Sequence, residues 1–332
     1  MSEWPPYDAF LLLSFGGPEG PDDVMPFLER VTGGRVPASR LATVAEHYHH
    51  FGGRSPINDQ NRALLAAVQA ELVGAGLDLR CYWANRNWHP LLADTLLRMR
   101  DDGVRRALCF VTSAYASHSG CRQYLDAIVT ARAELGEGAP GVEKLRAFFD
   151  HPGFVGPLAA RLGRALAQVG PEAPIAFTAH SVPAAWAETS DYVRQLRATA
   201  GLVAARADPA ASHPWDLVFQ SRSGPPSQEW LEPDIGAHLS VLAAAGAAEV
   251  VVDPIGFVSD HLEVVWDLDT EAAAHADRLG VRMVRADTVG TDPAFVAMVR
   301  ELVQERISGA PARALSPLGP HHTHCPAGCC PR

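Results

Sequence analysis

The chain of 332 residues is long enough for two domains of ordinary size, each with its own core. Its 47% hydrophobic and 20% charged residues are close to the globular average, which excludes an intrinsically disordered chain and a fibrous protein. The formal net charge of -10 argues against a nucleic-acid partner, because such a partner needs a basic patch. Cations and neutral molecules are therefore the expected partners.

We expect neither a transmembrane segment nor a signal peptide. The longest apolar runs, such as FLLLSF at residues 10–15, are far shorter than the roughly 20 residues that cross a bilayer. The first residues, MSEWPPYD, lack the basic and apolar regions of a secretory leader. The expected location is the cytoplasm, where structural disulfides are rare, so the six cysteines need another explanation.

Apolar strand-like runs alternate with Ala-, Leu- and Arg-rich helical segments, which is the pattern of parallel βαβ units. The first set of runs is DAFLLLSF, LRCYWAN and RRALCFVTS. The second set, after residue 150, is APIAFTAH, WDLVFQS and EVVVDPIGFV. The repetition predicts an α/β fold of two similar Rossmann-like domains, each a parallel sheet flanked by helices. We place the domains at residues 1–148 and 149–312, and residues 313–332 form a Cys/His/Pro-rich tail with too much Pro and Gly for a helix.

Ligands bind outside the carboxyl ends of the strands in an open parallel sheet. The segments that follow the predicted strands are SFGGPEG, NRNWHP, TSAYASHSG, AHSVP, QSRSGPPSQEW and GFVSDHLE. SFGGPEG lacks the GxGxxG spacing of a dinucleotide loop, so we interpret it as a tight turn. His180, at the end of a predicted strand, fits either a structural side chain or a catalytic base.

The segment 256–271 (GFVSDHLEVVWDLDTE) is rich in carboxylates. On a helix that begins near Asp260, the residues Glu263, Asp267 and Glu271 recur every four positions and form a stripe along one face. One interpretation is a solvated acidic face. However, like charges at this spacing repel each other, and the segment contains no Lys or Arg to offset them.

A bound divalent cation is the other interpretation of this acidic stripe. Oxygen ligands in a row suit a hard or borderline metal that passes from one site to the next. One end of the stripe lies beside a strand terminus, and His180 follows another strand. A metal path that ends at a base is the composite site that this arrangement predicts.

Several of these segments resemble the signature segments of ferrochelatases, the lyases that insert ferrous iron into a porphyrin. They are FGGRSPIN, NRNWHP, FTAHSVP, FQSRSGPPSQEWLEPDI and DPIGFVSDHLEVVWDLDTEA. The resemblance runs from residue 11 to about residue 305, and it implies a chelatase-type fold with porphyrin and Fe(II) as substrates. By this resemblance, His180 receives pyrrole protons or binds the metal, and Glu263 lies on the same side of the porphyrin.

The resemblance also assigns the acidic stripe and the walls of the site. Glu263, Asp267 and Glu271 correspond to a metal route on a helix with a π-type bulge. A neutral imidazole suits proton removal from the porphyrin, and carboxylates suit delivery of the metal. The implied tetrapyrrole contacts are Ser55 and Tyr124, with Arg54 and Arg122 nearby. We expect aromatic and proline walls of the site at Trp88, Pro225, Pro226 and Trp230. The alternative interpretation is that these four are core residues.

The resemblance leaves the substrate and the metal open. Some bacterial members present an axial Tyr where this chain has Phe15, so a proximal ligand is in doubt. We expect coproporphyrin III as the substrate, because no apolar lip or anchor is evident, with protoporphyrin IX as the alternative. A non-catalytic haem carrier and a cobalt or nickel chelatase are the rival classes. Transient contacts with neighbouring enzymes of the haem pathway are also expected.

Three cysteines lie close together near the end of the chain: Cys325, Cys329 and Cys330. A subset of ferrochelatases binds a [2Fe-2S] cluster through three C-terminal cysteines and one from the body, and such a cluster takes four thiolates. The segment 150–162, where family analogy places the fourth cysteine, contains none. The remaining candidates are Cys121, Cys109 and the tail histidines His321, His322 and His324. The alternative is a disordered tail with incidental thiols.

Overall fold

The computed structural model describes residues 6–224, 227–325 and 329–330. Within these residues, eight strands form two parallel four-stranded sheets with the orders β2-β1-β3-β4 and β6-β5-β7-β8. The strands are β1 (Ala9–Ser14), β2 (Arg80–Asn85), β3 (Arg106–Val111), β4 (Gly141–Lys144), β5 (Ile175–His180), β6 (Trp215–Gln220), β7 (Glu249–Asp253) and β8 (Arg282–Arg285). The two halves thus repeat one topology, which confirms the predicted fold.

Helices connect the strands and cover both faces of each sheet. The first half contains α1 (Pro21–Thr32), α2 (Ala38–His50), α3 (Ile57–Gly74), α4 (Leu92–Asp101), a π-helical turn (His118–Arg122) and α5 (Gln123–Leu135). The second half contains α6 (Pro152–Leu166), α7 (Ala184–Glu188), α8 (Tyr192–Ala207), α9 (Ile235–Ala244), α10 (Leu262–Trp266), a π-helical segment (Asp267–Ala272), α11 (Ala273–Leu279) and α12 (Pro293–Ser308). None of the described helices is long and apolar enough to span a bilayer.

The apolar runs of the sequence become strands because helices cover them on both faces. All six residues of β1 are buried, so this strand has no alternation of polar and apolar side chains. The edge strands β4 and β8 are short and only half-buried, which explains why their apolar signal is weak in the sequence.

The last helix, α12, returns to the first half of the molecule. It packs against α3 and α6, and Arg300 binds Glu71 of α3 with Nε 2.7 Å from the carboxylate. A buried ion pair between Arg146 and Glu305 adds a second link. One core cluster consequently contains residues from both sheets. The domain boundary at residues 148 and 149 stays a prediction.

Candidate active site

A cleft of about 350 Å³ lies at the carboxyl ends of both sheets. Its walls are the segments that follow β1, β2 and β3 in the first half and β5, β6 and β7 in the second half. Ligands bind at this edge in open parallel sheets. Segments that are far apart in the sequence therefore converge on one cleft.

His180 and Glu263 meet in this cleft because they follow neighbouring strands. His180 is the last residue of β5, and Glu263 is in the first turn of α10, after β7. The His180 Nε2 lies 3.5 Å from a Glu263 carboxylate oxygen, and its Nδ1 lies 2.5 Å from the Ser181 carbonyl oxygen. Because a carbonyl oxygen only accepts, Nδ1 carries a proton. Nε2 is therefore the nitrogen that can gain or lose one.

Opposing effects set the pKa values of this pair. Burial lowers the pKa of His180, but Glu263 and the Ser181 carbonyl outweigh burial and raise it to about 9. Burial raises the pKa of Glu263, but the charge of His180 outweighs burial and lowers it to about 2. At neutral pH the metal-free site therefore holds an imidazolium–carboxylate pair. The neutral imidazole expected from the sequence requires a further change, such as the arrival of a cation.

The stripe of Glu263, Asp267 and Glu271 runs along α10 and the π-helical segment that continues it. In an α-helix a step of four residues exceeds a full turn by about 40°, so a stripe at this spacing drifts around the axis. In the wider π-turn, with its i to i+5 hydrogen bonds, the same step of four residues covers less than a full turn. This returns the stripe to one face of the helix. The π-type bulge implied by the resemblance is thus confirmed.

The acidic stripe lines a second cleft, of about 760 Å³, and Glu263 lines both clefts. Burial, together with the charges of Glu263 and Glu271, raises the pKa of Asp267 to about 7 against the opposing effects of the Ser221 hydrogen bond and of His180. Asp267 can therefore exchange a proton for a metal ion near neutral pH. The two clefts meet where the stripe ends.

The other carboxylates of this segment are neutralised by Arg285, which lies outside it. The guanidinium is 2.5 Å from Asp269 and 3.1 Å from Asp260. The segment itself contains no cation, as the sequence indicates. Arg285 nevertheless offsets the two carboxylates that lie off the stripe.

Ser55, Tyr124 and Trp230 line the first cleft, in agreement with the resemblance. Ser55 and Tyr124 are buried, so their hydroxyls belong to the site and not to the outer surface. Phe15 also lines the cleft, and its ring centroid lies 5.3 Å from the guanidinium of Arg86. A phenyl ring has no atom that binds iron, so Phe15 supplies no axial ligand.

Two predicted arginine contacts lie elsewhere. The guanidinium of Arg54 is half-exposed and binds Asp59 at 2.5 Å, and that of Arg122 binds Asp126 at 2.8 Å. Neither is among the described residues that line the first cleft. A carboxylate four or five residues along the chain holds each of them at the surface.

The proposed aromatic and proline walls are only partly represented in the cleft. Trp88 packs edge-to-face against Phe27, with ring centroids 6.0 Å apart, in a cluster beside the cleft. Pro225 and Pro226 lie outside the described residues. Of the four predicted walls, the described lining includes Trp230.

Four thiols come together at a separate place. The sulfur atoms of Cys121 and Cys325 are 3.9 Å apart, and those of Cys329 and Cys330 are 3.8 Å apart. The ligand atoms of His322, Cys325 and Cys329 lie within 4.8 Å of one another, which joins the two pairs. We call these four cysteines the thiol cluster.

The tail reaches Cys121 because it is tied to the segment that follows β4. Ser316 donates a 2.6 Å hydrogen bond to the buried Asp150, and Arg146 donates a 3.0 Å bond to the Arg313 carbonyl. The described part of the tail contains no helix, as predicted, but it is docked onto the body.

Cys121, and not Cys109, is the body cysteine of the thiol cluster. Cys109 is fully buried in β3 and packs in the apolar core of the first half. The hydrogen bond shared with the Cys325 thiol lowers the pKa of Cys121 to about 6 against the opposing effect of burial, and the positive charge of Lys144 acts in the same direction as the hydrogen bond. Lys144 is the only lysine of the chain. The location thus favours a thiolate.

Comparison with known proteins decides the family. The sequence matches the Ferrochelatase family over residues 7–307. The chain belongs to the ferrochelatase family. A ferrochelatase from Rhodopirellula baltica is 53% identical over 99% of this chain and 95% of its own length. A coproporphyrin III ferrochelatase from Streptomyces coelicolor is 52% identical over 98% of this chain and 94% of its own length.

Solved structures show the same fold at low sequence identity. SirB from Bacillus subtilis, solved with Fe3+, has a TM-score of 0.56 at 10% identity and covers 92% of this chain and 97% of its own. CbiX, the terminal enzyme for biosynthesis of sirohaem in denitrifying bacteria, has a TM-score of 0.50 at 17% identity and covers 92% of this chain and 100% of its own. The chelatase-type fold expected from the sequence is therefore shown.

Two residues of this ferrochelatase-family site were missed from the sequence. Arg86 lies in the first cleft, with its guanidinium 2.7 Å from Gln123 Oε1 and 5.0 Å from the ring centroid of Tyr124. His261 caps α10, and its Nδ1 accepts a 3.1 Å bond from the Glu263 backbone N–H. Arg86 directly follows β2, and His261 lies in the loop between β7 and α10; both positions belong to segments that follow predicted strands.

Proposed function

We propose that this protein inserts Fe(II) into coproporphyrin III and produces Fe-coproporphyrin (coprohaem). The observation that carries the proposal is the position of the His180–Glu263 pair, because Glu263 lines both the first cleft and the second cleft. Metal from one side and porphyrin from the other can therefore meet at one proton acceptor. The name of the 52% identical Streptomyces relative supports coproporphyrin III as the porphyrin.

The acidic stripe delivers the metal. Fe(II) passes from Glu271 through Asp267 to Glu263, and each carboxylate replaces part of the water shell of the ion. The raised pKa of Asp267 means that this residue releases a proton when the metal binds and takes one up when the metal leaves. Competition from the proton thus weakens metal binding at Asp267, which allows the ion to move on to Glu263.

A cation at Glu263 converts His180 into a base. The pKa of about 9 depends on the Glu263 carboxylate, and a metal ion shared by that carboxylate weakens its hold on the imidazolium proton. The Nε2 proton then passes to water, and the free lone pair accepts one of the two pyrrole protons. After this proton has also passed to water, the same nitrogen accepts the second pyrrole proton. Base activation is consequently tied to the presence of iron.

The polar side of the first cleft suits a tetracarboxylate. Coproporphyrin III carries four propionates, whereas protoporphyrin IX carries two and presents vinyl groups at the other positions. The donors that line the cleft include Arg86, Ser55, Ser113, Ser117, Ser119 and Tyr124. An apolar substituent against such donors leaves them without an acceptor, which costs about 1–3 kcal/mol for each buried donor.

The test is anaerobic insertion of Fe(II) into either porphyrin, followed by the loss of free-base porphyrin fluorescence. We expect fast insertion into coproporphyrin III, slow insertion into protoporphyrin IX, and a loss of about 100-fold or more in His180→Ala. The matched control is His49→Ala, because His49 is exposed and outside both clefts. Faster insertion into protoporphyrin IX would replace the proposed substrate. Tight haem binding without insertion into either porphyrin would support a carrier.

The thiol cluster fits a [2Fe-2S] centre. Two thiolates on one tetrahedral metal at about 2.3 Å lie about 3.8 Å apart. The Cys121–Cys325 and Cys329–Cys330 sulfur pairs, at 3.9 and 3.8 Å, match this spacing, and two such pairs suit the two irons of the centre. When bound, the centre supplies a one-electron redox couple and a rigid cross-link. Porphyrin metallation transfers no electron, so we assign it a structural or regulatory role.

Metal and sulfide analysis of anaerobically purified protein tests the cluster. We expect equal amounts of iron and acid-labile sulfide, with visible absorption that is lost in Cys121→Ser and kept in Cys81→Ser. Cys81 is a half-buried body cysteine in β2 and lies outside the cluster. Zinc without sulfide would instead indicate a mononuclear site at His322, Cys325 and Cys329.

We infer that the protein works in the cytoplasm, in contact with the enzyme that next decarboxylates the product. Both ferrous iron and free thiols are kept in a reducing compartment. Cross-linking in cells would show such a contact as a transient complex.

A further inference from the structure

We propose that Cys121 couples the thiol cluster to the porphyrin cleft, so that binding of a metal centre by the four thiols strengthens tetrapyrrole binding. Cys121 is thus a positioning residue, not a catalytic one. The inference rests on the proposed cluster. The new element is that the cluster acts on the porphyrin cleft.

The first observation is the place of Cys121 in the chain. It lies in the π-helical turn His118–Arg122, and Ser119 and Gly120 of that turn line the first cleft. Cys121 itself is 2% exposed and its sulfur is 3.9 Å from the tail thiol of Cys325. One short turn therefore has a thiol of the cluster on one side and the porphyrin cleft on the other.

The turn also leads directly into the polar contacts of the cleft. α5 follows it without a break, and its first two residues, Gln123 and Tyr124, both contact the guanidinium of Arg86. A shift of Cys121 therefore moves the partners that hold this guanidinium in place. The main cationic group that we assign to the porphyrin carboxylates would move with them.

A second contact transmits the position of the turn to the opposite wall. His118 is buried, and its ring centroid lies 4.5 Å from that of Trp186, which belongs to α7 of the second half and lines the cleft. The turn thus touches residues on both sides of the porphyrin site.

A metal centre on Cys121 would add an external anchor to the turn. The turn's own hydrogen bonds include those from the Cys121 and Arg122 N–H groups to the Ser117 carbonyl, from the Gln123 N–H to the His118 carbonyl, and from the Gly120 N–H to the Ser117 hydroxyl. A metal centre on Cys121 ties the turn to the tail, which is itself bound to Asp150. Without the centre, this tie is reduced to a thiol contact.

The experiment measures coproporphyrin III binding without Fe(II), by isothermal titration calorimetry, so that activity is not the readout. Cluster-loaded wild type is compared with chelator-stripped wild type, Cys121→Ser, Cys329→Ser and the control Cys81→Ser. We expect the Kd to rise about fivefold or more in the stripped protein and in both cluster variants, and to stay unchanged in Cys81→Ser. Amide hydrogen exchange should increase in residues 118–124 of the stripped wild type.

The outcomes separate this proposal from the cluster itself. Loss of the cluster with unchanged Kd and unchanged exchange in residues 118–124 would overturn the coupling and leave the cluster intact. Wild type without iron and sulfide would overturn the cluster and the coupling together. Because stripped wild type carries no substitution, the test stands even where Cys121→Ser fails to fold.

Discussion

We propose iron binding at both the acidic stripe and the thiol cluster, but the two groups of side chains have opposite geometry. The carboxylates of Glu263, Asp267 and Glu271 lie in series along one helix, so each position offers few ligands. The four thiols come from segments about 200 residues apart and converge on one point. Ligands in series suit an ion that moves, and ligands that converge suit one that stays. Hard oxygen and soft sulfur donors strengthen the same distinction.

The largest expected effect comes from removing the inner end of the series. Glu263→Gln removes the carboxylate that we propose as the metal acceptor and that raises the pKa of His180. We expect the insertion rate to fall by about 100- to 10,000-fold while the iron and sulfide of the thiol cluster are unchanged. Glu134→Gln, an exposed helical position, is the matched control. A fall of less than tenfold would contradict the role of Glu263.

A graded effect is expected along the stripe. Asp267→Asn should raise the KM for Fe(II) by about tenfold, and Glu271→Gln by a few-fold, with kcat largely kept, because they act on delivery and not on chemistry. Asp269→Asn is the control from the same π-helical segment, since Asp269 binds Arg285 instead of facing the route. Equal effects from all three variants would indicate a general charge effect and not a path.

The proton on His180 provides a third test. Its pKa of about 9 in the metal-free protein should fall to about 6.5 or below in Glu263→Gln, measured from the imidazole NMR signals as a function of pH. Because the folded pKa is raised, the stabilisation from this pair is fully present below about pH 6.5. It is lost as pH rises to about 9. The stability difference between wild type and Glu263→Gln should therefore shrink over that window, and a constant difference would argue against the pair.

The smallest effect is expected at Lys144, beside the thiol cluster. Its positive charge lowers the pKa of Cys121, and the same charge would stabilise the reduced form of the proposed centre, which carries one more negative charge. Lys144→Met should lower the reduction potential by a few tens of millivolts, which is less than about tenfold in a one-electron equilibrium. Insertion by the loaded enzyme is expected to change little. A higher reduction potential in Lys144→Met would contradict this role of the Lys144 charge.

The elements that form the core were predictable, but their long-range partners were not. The run AFLLLS can be recognised as β1 because burial on both faces leaves no polar position. Arg54 was assigned to the porphyrin by the resemblance, as the neighbour of Ser55, and its ion pair with Asp59 has no special mark in the sequence. Arg86 shared its segment with several polar residues, and only the packing against Tyr124 distinguishes it.

The fourth thiol shows the same limit more sharply. Cys121 was the body cysteine assigned to the cluster from the sequence, with Cys109 as an alternative twelve residues away in the same βα unit. They differ because β3 buries Cys109 inside the sheet, whereas the following turn brings Cys121 to the docked tail. Such a difference arises from topology, which no local pattern encodes.

The return of α12 to the first half has a consequence for synthesis on the ribosome. The apolar face that α12 buries consists of Phe295, Val296, Met298, Val299, Leu302 and Val303. Its partner α3 emerges early, but α12 follows the end of β4 by about 150 residues, which corresponds to roughly 10–30 s of translation. During that delay the nascent first half exposes an apolar surface that α12 covers only after its synthesis. The growing polypeptide should therefore be a client of ribosome-associated chaperones, and truncation before residue 293 should yield an aggregating fragment.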